Sequence, residues 1–271
     1  MRGPRSGRDL PALQRTTRIQ GGNFVEEWAR PDTHPDAEPT EVHVWRALLD
    51  LDAGLLAELA ATLAPDELAR ASGFVTGSLR DRFIVRRGVQ RNILGRYLGV
   101  APGSIQPIVG LQGKLGVESG GSDLRFNSSN ASGLALVVVA WGREVGVDIE
   151  ELRPVPDADA LVERFFAPGE VRAFRALNGD ERARSFLECW TRKEAYLKAI
   201  GAGLSMPLNR FEVSVGTGES PRILHADDDP DAADRWTLRD LEPSPDHVGA
   251  VVLEGSGARV RLFSWGPWTG P

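Results

Sequence analysis

Residues 186–204, FLECWTRKEAYLKAIGAGL, decide how the rest of the chain is read. They predict a helix that stops at Gly201, because glycine, with no Cβ, suits the left-handed cap of a helix C-terminus. Wound at about 100° per residue, Phe186, Leu187, Trp190 and Leu197 share one arc. Glu194 falls inside that arc, spaced i, i+4 from Trp190 and i, i+3 to Leu197, while Glu188 lies on the opposite face. A carboxylate in an apolar stripe is costly unless it is paired, protonated or bound to a metal. Lys193 and Lys198 flank the arc, so the helix aims one acid and two ammonium groups toward its packed side.

A second acidic pair lies upstream. Leu134 to Trp141, LALVVVAW, is a near-continuous apolar run and predicts a buried strand. Gly142-Arg143 reads as a turn and Val145 to Ile149 as the returning strand. Residues two apart on a strand share a face, so Asp148 and Glu150 point the same way. Asp148, Glu150 and Glu194 are therefore candidates to converge on one hard divalent cation, Mg²⁺, with water and phosphate completing its shell. Spacing alone does not separate that reading from three unrelated acids. Lysine usage favours the site: of 32 basic residues only Lys114, Lys193 and Lys198 are lysines, and two of them flank Glu194. Lysine is the compact point charge suited to a phosphate oxygen. Lys114 sits in a Gly-rich turn, LQGKLG.

Taken in order, Gly113-Lys114-Leu115, Phe126 to Ala131 (FNSSNA), Gly146 to Glu150 (GVDIE) and Trp190 to Leu204 resemble the motifs of the Sfp-type 4'-phosphopantetheinyl transferases. The resemblance covers about residues 41–265. It implies a pseudo-twofold pair of α/β halves with a cleft between them. It also implies a reaction: 4'-phosphopantetheine passes from coenzyme A to a serine of an apo carrier protein, and adenosine 3',5'-bisphosphate leaves. In that reading Asp148, Glu150 and Glu194 are the metal carboxylates, and Glu194, Asp148 and Lys198 are catalytic. Lys198 neutralises the phosphates with help from Lys193, Lys114 and Ser129 contact the phosphates or nucleotide of coenzyme A, and Arg87 or Arg91 its 3'-phosphate. Asn130 stands where the family has histidine, so an amide that can only hydrogen-bond replaces a ring that can carry charge. Leu115 replaces a proline at some loss of turn rigidity.

The remaining sequence fits this frame. The 271 residues are 41% hydrophobic and 26% charged, as in a soluble globular protein. A net charge of −6 gives no basic field for nucleic acid. The single Cys189 rules out an internal disulfide framework and a Cys-rich zinc site. No apolar stretch reaches membrane-spanning length. The expectation is a cytoplasmic monomer that binds coenzyme A and a fatty-acid, polyketide or peptide carrier, with no nucleic acid or membrane partner.

Residues 1–40, rich in Arg, Pro, Gly and Asp, read as a flexible extension. The fold class expected is α+β, with an N-terminal α/β subdomain at 41–150 and a C-terminal one at 151–265. Strands are expected at Glu41–Ala47, Ile105–Val109, Phe211–Val215, Arg222–His225, Trp236–Leu241, Val248–Leu253 and Ala258–Phe263. Helices are expected at Leu48–Ala61, Ala64–Phe74, Arg82–Gly99 and Ala160–Leu177, with Asn178-Gly179-Asp180 as a turn. APDELARASGF (64–74) recurs as APGEVRAFRAL (167–177), and Gly99 matches Gly201 to within a residue, which predicts an internal duplication.

Two other classes stay open on sequence alone: a coenzyme A-binding module without transferase activity, supported by Asn130, and a metal-dependent phosphohydrolase using the same acids. The four histidines lie outside every motif and no G-x-S-x-G occurs, which argues against a Ser-His-Asp hydrolase.

Overall fold

The computed structural model describes residues 19–20, 23–24, 27–31, 35, 37–109, 115–117, 122–216 and 220–266. The chain opens with β1 (Ile19–Gln20) and β2 (Asn23–Phe24), then β3 (Glu41–Leu48), α1 (Ala53–Ala60), α2 (Pro65–Ser72) and α3 (Gly77–Leu98). There follow β4 (Pro107–Val109), β5 (Leu115–Val117), β6 (Leu124–Ala131), β7 (Leu134–Trp141) and β8 (Val145–Glu151). The second run is α4 (Ala158–Phe165), α5 (Pro168–Arg175), α6 (Gly179–Ile200), β9 (Phe211–Val213), β10 (Ile223–Ala226) and α7 (Ala232–Arg235). It closes with β11 (Trp236–Ser244), β12 (His247–Glu254) and β13 (Arg259–Ser264).

Two sheets carry the fold, in the orders β13-β3-β7-β6 and β11-β12-β8. Each contains the same antiparallel trio, β3-β7-β6 in one and β8-β12-β11 in the other, and β13 adds to β3 in parallel. The sheets pack face to face. Val42 and Val44 of β3, Leu136 and Val138 of β7, Val145, Val147 and Ile149 of β8, and Val251 of β12 interleave between them. Helices cover the outer faces. Ala135, Val137 and Val139 of β7 meet Val85, Val89 and Ile93 of α3. Val248, Ala250 and Val252 of β12 meet Leu187, Ala195 and Ala199 of α6. A strand covered on both faces must be apolar at every position, which is why the run 134–141 shows no alternation.

The duplication is borne out in the coordinates. The helices α3 and α6 are both 22 residues long and both close on a left-handed glycine, Gly99 at φ 67° and Gly201 at φ 69°. The helices α2 and α5 are both eight residues long and start Ala-Pro at the cap and first turn.

Three sequence expectations change. The predicted helix 160–177 is two helices, because Pro168 lacks an N–H and opens a new first turn at α5. The predicted turn 178–180 is the start of α6, capped at Asn178. The strand β8 ladders with β12, so the second repeat is entered at Val145, ahead of the expected boundary after residue 150. Within the expected N-terminal extension, Trp28 is buried, its Nε1 donates to Glu242 O at 3.1 Å, and Ala29 bridges to Phe263. Among the described residues no helix is long and apolar enough to cross a membrane.

Candidate active site

Gly146 sets the geometry. On β8 the odd residues Val145, Val147 and Ile149 enter the layer between the sheets. Gly146, Asp148 and Glu150 therefore face α6. A Cβ at Gly146 would drive into Ala195 O and Ala199 N of α6. The missing side chain lets the helix backbone lie directly on the strand, and that contact brings Glu194 and Lys198 over Asp148 and Glu150.

Asp148 is buried, at 5% exposure. Its Oδ1 accepts from Lys198 Nζ at 2.6 Å and from Ser129 Oγ at 2.7 Å. Its Oδ2 is also buried and has no hydrogen-bond partner among the described residues. Lys198 Nζ also donates to Ser129 Oγ at 3.0 Å and to Val147 O at 3.3 Å. Because Ser129 comes from β6, the site lies on the seam between the two halves. That seam is stitched on either side by Asn127 Oδ1 accepting from Val147 N at 3.2 Å and by Ser132 Oγ donating to Glu151 Oε2 at 2.5 Å.

The other two acids feel Asp148 through charge. Burial, and after it the charge of Asp148, raises the Glu194 carboxyl above its ordinary range, against the pull of Lys198. Glu150 is raised by the same two causes in the same order, with a smaller push from Glu194 and opposition from Arg153 and Lys198. Three half-buried or buried acids thus share one ammonium group and repel one another. Among the described residues, no group of three or more His, Cys, Asp or Glu is arranged to hold a metal ion as the side chains stand. The chemistry of the donor set nonetheless fits a hard cation: only carboxylate oxygens, an orphaned buried Oδ2, and mutual repulsion that a positive charge would relieve.

Lys193 is a correction. It is fully buried, donating to Glu170 Oε1 at 2.6 Å, Glu170 Oε2 at 2.7 Å and Phe211 O at 2.8 Å, with the Phe211 ring 4.2 Å away. All three of its donor contacts lie inside the second half, in contrast to the expectation that it assists at the phosphates. Arg91 is likewise buried, held by Glu67 and by Ile105 O at 2.7 Å, and Arg87 is held by Glu67 Oε1 at 2.9 Å. Both are therefore engaged by Glu67, which the expectation of a 3'-phosphate contact did not foresee. Asn130 is exposed on β6, opposite Ala135. Lys114 lies outside the described residues.

Sequence reasoning missed two features beside Gly146. Gln90 of α3 is buried and receives Ser128 Oγ at 3.4 Å, which ties the first half to the strand that carries Ser129. One helical turn earlier, Arg86 and Arg70 lie over the Phe83 ring at 5.6 and 5.5 Å, and neither forms an ion pair among the described residues. Burial, then the neighbouring Arg87 and Arg70, lowers Arg86 to about 10. The doublet Arg86-Arg87 beside a phenylalanine was the available signal, but it reads equally well as a solvated helix face.

Carboxylates, an ammonium group and a hydroxyl gathered on a seam are the equipment of a phosphoryl-transfer site. Comparison with known proteins gives the class its family. The profile of the 4'-phosphopantetheinyl transferase superfamily matches residues 144–252. The chain is 41% identical over 227 residues to the 4'-phosphopantetheinyl transferase HetI of Nostoc sp., covering 83% of this chain and 92% of that protein. It is 34% identical over 168 residues to the putative 4'-phosphopantetheinyl transferase slr0495 of Synechocystis sp. (62% of this chain, 68% of that one). With the 4'-phosphopantetheinyl transferase Sfp of Bacillus subtilis it shares 34% identity over 91 residues (34% and 39%). The chain belongs to the 4'-phosphopantetheinyl transferase superfamily.

Proposed function

We propose that this enzyme moves 4'-phosphopantetheine from coenzyme A to a serine hydroxyl of an apo acyl, polyketide or peptidyl carrier protein. The P–O bond to the adenosine 3',5'-bisphosphate breaks as the serine oxygen bonds to the β-phosphorus. The observation that carries the reading is the buried, half-satisfied Asp148, flanked by two acids whose carboxyls are pushed up and touched by Lys198.

Asp148, Glu150 and Glu194 would hold Mg²⁺, which when bound supplies charge neutralisation to a pyrophosphate. The chain's own groups do the rest. Glu194, on the helix face beside Asp148, takes the serine proton, directly or through a water it orients. Lys198 carries positive charge to the phosphates, and Ser129 orients both Lys198 and Asp148. Arg70 and Arg86, rather than Arg87 and Arg91, are the cations with charge to spare for a further phosphate of coenzyme A. Asn130 can offer a hydrogen bond at its position without the charge of a histidine. One chain contains both halves of the seam, which supports action as a monomer.

The test is intact mass spectrometry of apo carriers of each class incubated with enzyme, coenzyme A and Mg²⁺. One class or more gains the phosphopantetheine mass. Glu194→Ala lowers that rate about 10²–10⁴-fold, the usual size of a lost acid–base group. Release of phosphopantetheine without any carrier would mark a hydrolase instead.

A further inference from the structure

Lys198 and Asp148 form the tightest contact of the site, yet the proposed chemistry needs both for other partners. Lysine has three N–H donors. Here all three have acceptors inside the protein: Asp148 Oδ1, Ser129 Oγ and Val147 O. None is left for a phosphate. On the other side, Asp148 Oδ1 already receives two bonds, from Lys198 and Ser129. A dication at Asp148 and an ammonium group 2.6 Å from the same carboxylate would repel each other strongly.

We infer that Lys198 is a resident counter-ion that has to leave Asp148 as the site loads, so that cation entry and delivery of the lysine to the phosphates are one coupled event. This rests on the transferase reading above. The two helix lysines show the difference between a fixed and a movable charge. The Lys193 side chain is 0% exposed and locked by its own glutamate, whereas the Lys198 side chain is 28% exposed and reaches solvent. The helix backbone itself is held by its approach to Gly146, so the movement belongs to the side chain. Asp148 Oδ2, buried and without a hydrogen-bond partner among the described residues, is the oxygen left to receive a cation once the lysine withdraws.

The test uses Mn²⁺ as the probe, with binding to the full chain followed by electron paramagnetic resonance of the free ion and no coenzyme A present. Lys198→Met and Lys198→Gln both remove the competing charge. Folding of each is checked by thermal melting, and the glutamine variant, which keeps a hydrogen-bond donor, carries the test if the methionine variant does not fold. Either variant binds Mn²⁺ about tenfold or more tightly than the wild type, and adding Asp148→Asn removes that gain. Mn²⁺ affinity equal to or below wild type in the folded Lys198 variants, with binding still lost on Asp148→Asn, overturns the coupling and leaves the transferase reading standing. Binding that survives Asp148→Asn in every background overturns both. No Mn²⁺ binding by any variant shows that the lysine is not what keeps the cation out, and also overturns the inference.

Discussion

The two halves of the chain use one scaffold but set different side chains beneath their long helices. In each, a glutamate in the first turn of a short helix caps its own helix and reaches to a long one. Glu67 accepts from Ala64 N at 3.1 Å and pairs with Arg91, and Glu170 accepts from Ala167 N at 2.8 Å and pairs with Lys193. Counted back from their closing glycines, Arg91 and Lys193 occupy the same place on α3 and α6. By the same count Asn92 stands where Glu194 does, and Arg96 where Lys198 does. On the strand beneath, His43, Trp45 and Ala47 face α3, while Gly146, Asp148 and Glu150 face α6. The first half fills the position with packing: Trp45 Nε1 donates to Tyr97 Oη at 2.9 Å, and Asn92 Oδ1 accepts from Trp265 Nε1 at 3.1 Å. The second leaves acids under a lysine. Duplication supplied the frame twice, and the difference lies in a few outward strand positions and one helix turn.

The glutamate anchor is where the halves differ most in how much one residue carries. Glu67 is shared by Arg87 and Arg91, but Glu170 has Lys193 as its one cationic partner among the described residues. Lys193→Met leaves a buried carboxylate without its counter-charge and costs about 3–5 kcal/mol. Arg91→Met leaves Glu67 with Arg87 and costs about 1–3 kcal/mol. Urea unfolding of both variants measures the gap. Equal losses would mean that the two anchors work alike and that the asymmetry of partners has no energetic weight. With the Lys193 donors taken by Glu170 and Phe211 O, the methionine variant, where folded, is expected to keep its affinity for coenzyme A.

The next effect tests the close approach that only the second half makes. Gly146→Ala puts a Cβ against backbone atoms of Ala195 and Ala199, which cannot rotate away. Overpacking of this kind costs about 1–3 kcal/mol. Lifting α6 off β8 also lengthens the reach of Lys198 to Asp148, so carrier labelling falls together with stability. A Gly146→Ala protein as stable and as active as the wild type would show that the helix sits there for another reason. The first half offers the control, since a full imidazole, His43, faces its helix with Tyr97 and Phe263 against it.

These results also show what a sequence can and cannot carry. The stop at Gly201, the doubly buried strand 134–141 and the shared face of Asp148 and Glu150 were legible because each depends on residues a few positions apart. Lys193 was misread because its partner, Glu170, lies 23 residues away on a different helix. The amphipathic rule failed for the same helix. It assumes one buried face, but α6 is packed on several sides, with Cys189, Thr191, Arg192, Lys193, Ala195 and Tyr196 all buried. The start of α6 was hidden because Asn-Gly-Asp is as good a turn as it is a helix cap. Residues of the acid trio could be named from period and family motif, but their mutual repulsion and the capture of Asp148 by Lys198 are properties of the folded chain.

The smallest predicted effect separates the halves by pH. In the first, His43 is fully buried, with Tyr97 Oη 2.7 Å from Nδ1, Glu41 Oε2 3.1 Å from Nε2, and the Phe263 ring alongside. Burial pushes its pKa below the ordinary 6.5, and the opposing attraction of Glu41, itself partly engaged by Arg261, does not restore it. The unfolded chain then takes up a proton near 6.5 that the folded chain refuses until a lower pH. Stability from this group is therefore present above 6.5 and is lost as pH falls through the window between the unfolded and folded pKa values. In the second half, Glu188 is raised by burial above its ordinary 4.5, against the pull of Arg184, so its contribution has the opposite sign: it is lost as pH rises through that range. Below 6.5 the histidine's own contribution to the slope is at most about 1.4 kcal/mol per pH unit for one proton. Urea midpoints at about pH 7 and about pH 5.5, on wild type and His43→Gln, isolate it. On going from the higher to the lower pH the wild type loses stability relative to the glutamine variant, whatever their absolute stabilities; an identical slope in both would remove His43 as a source of pH dependence.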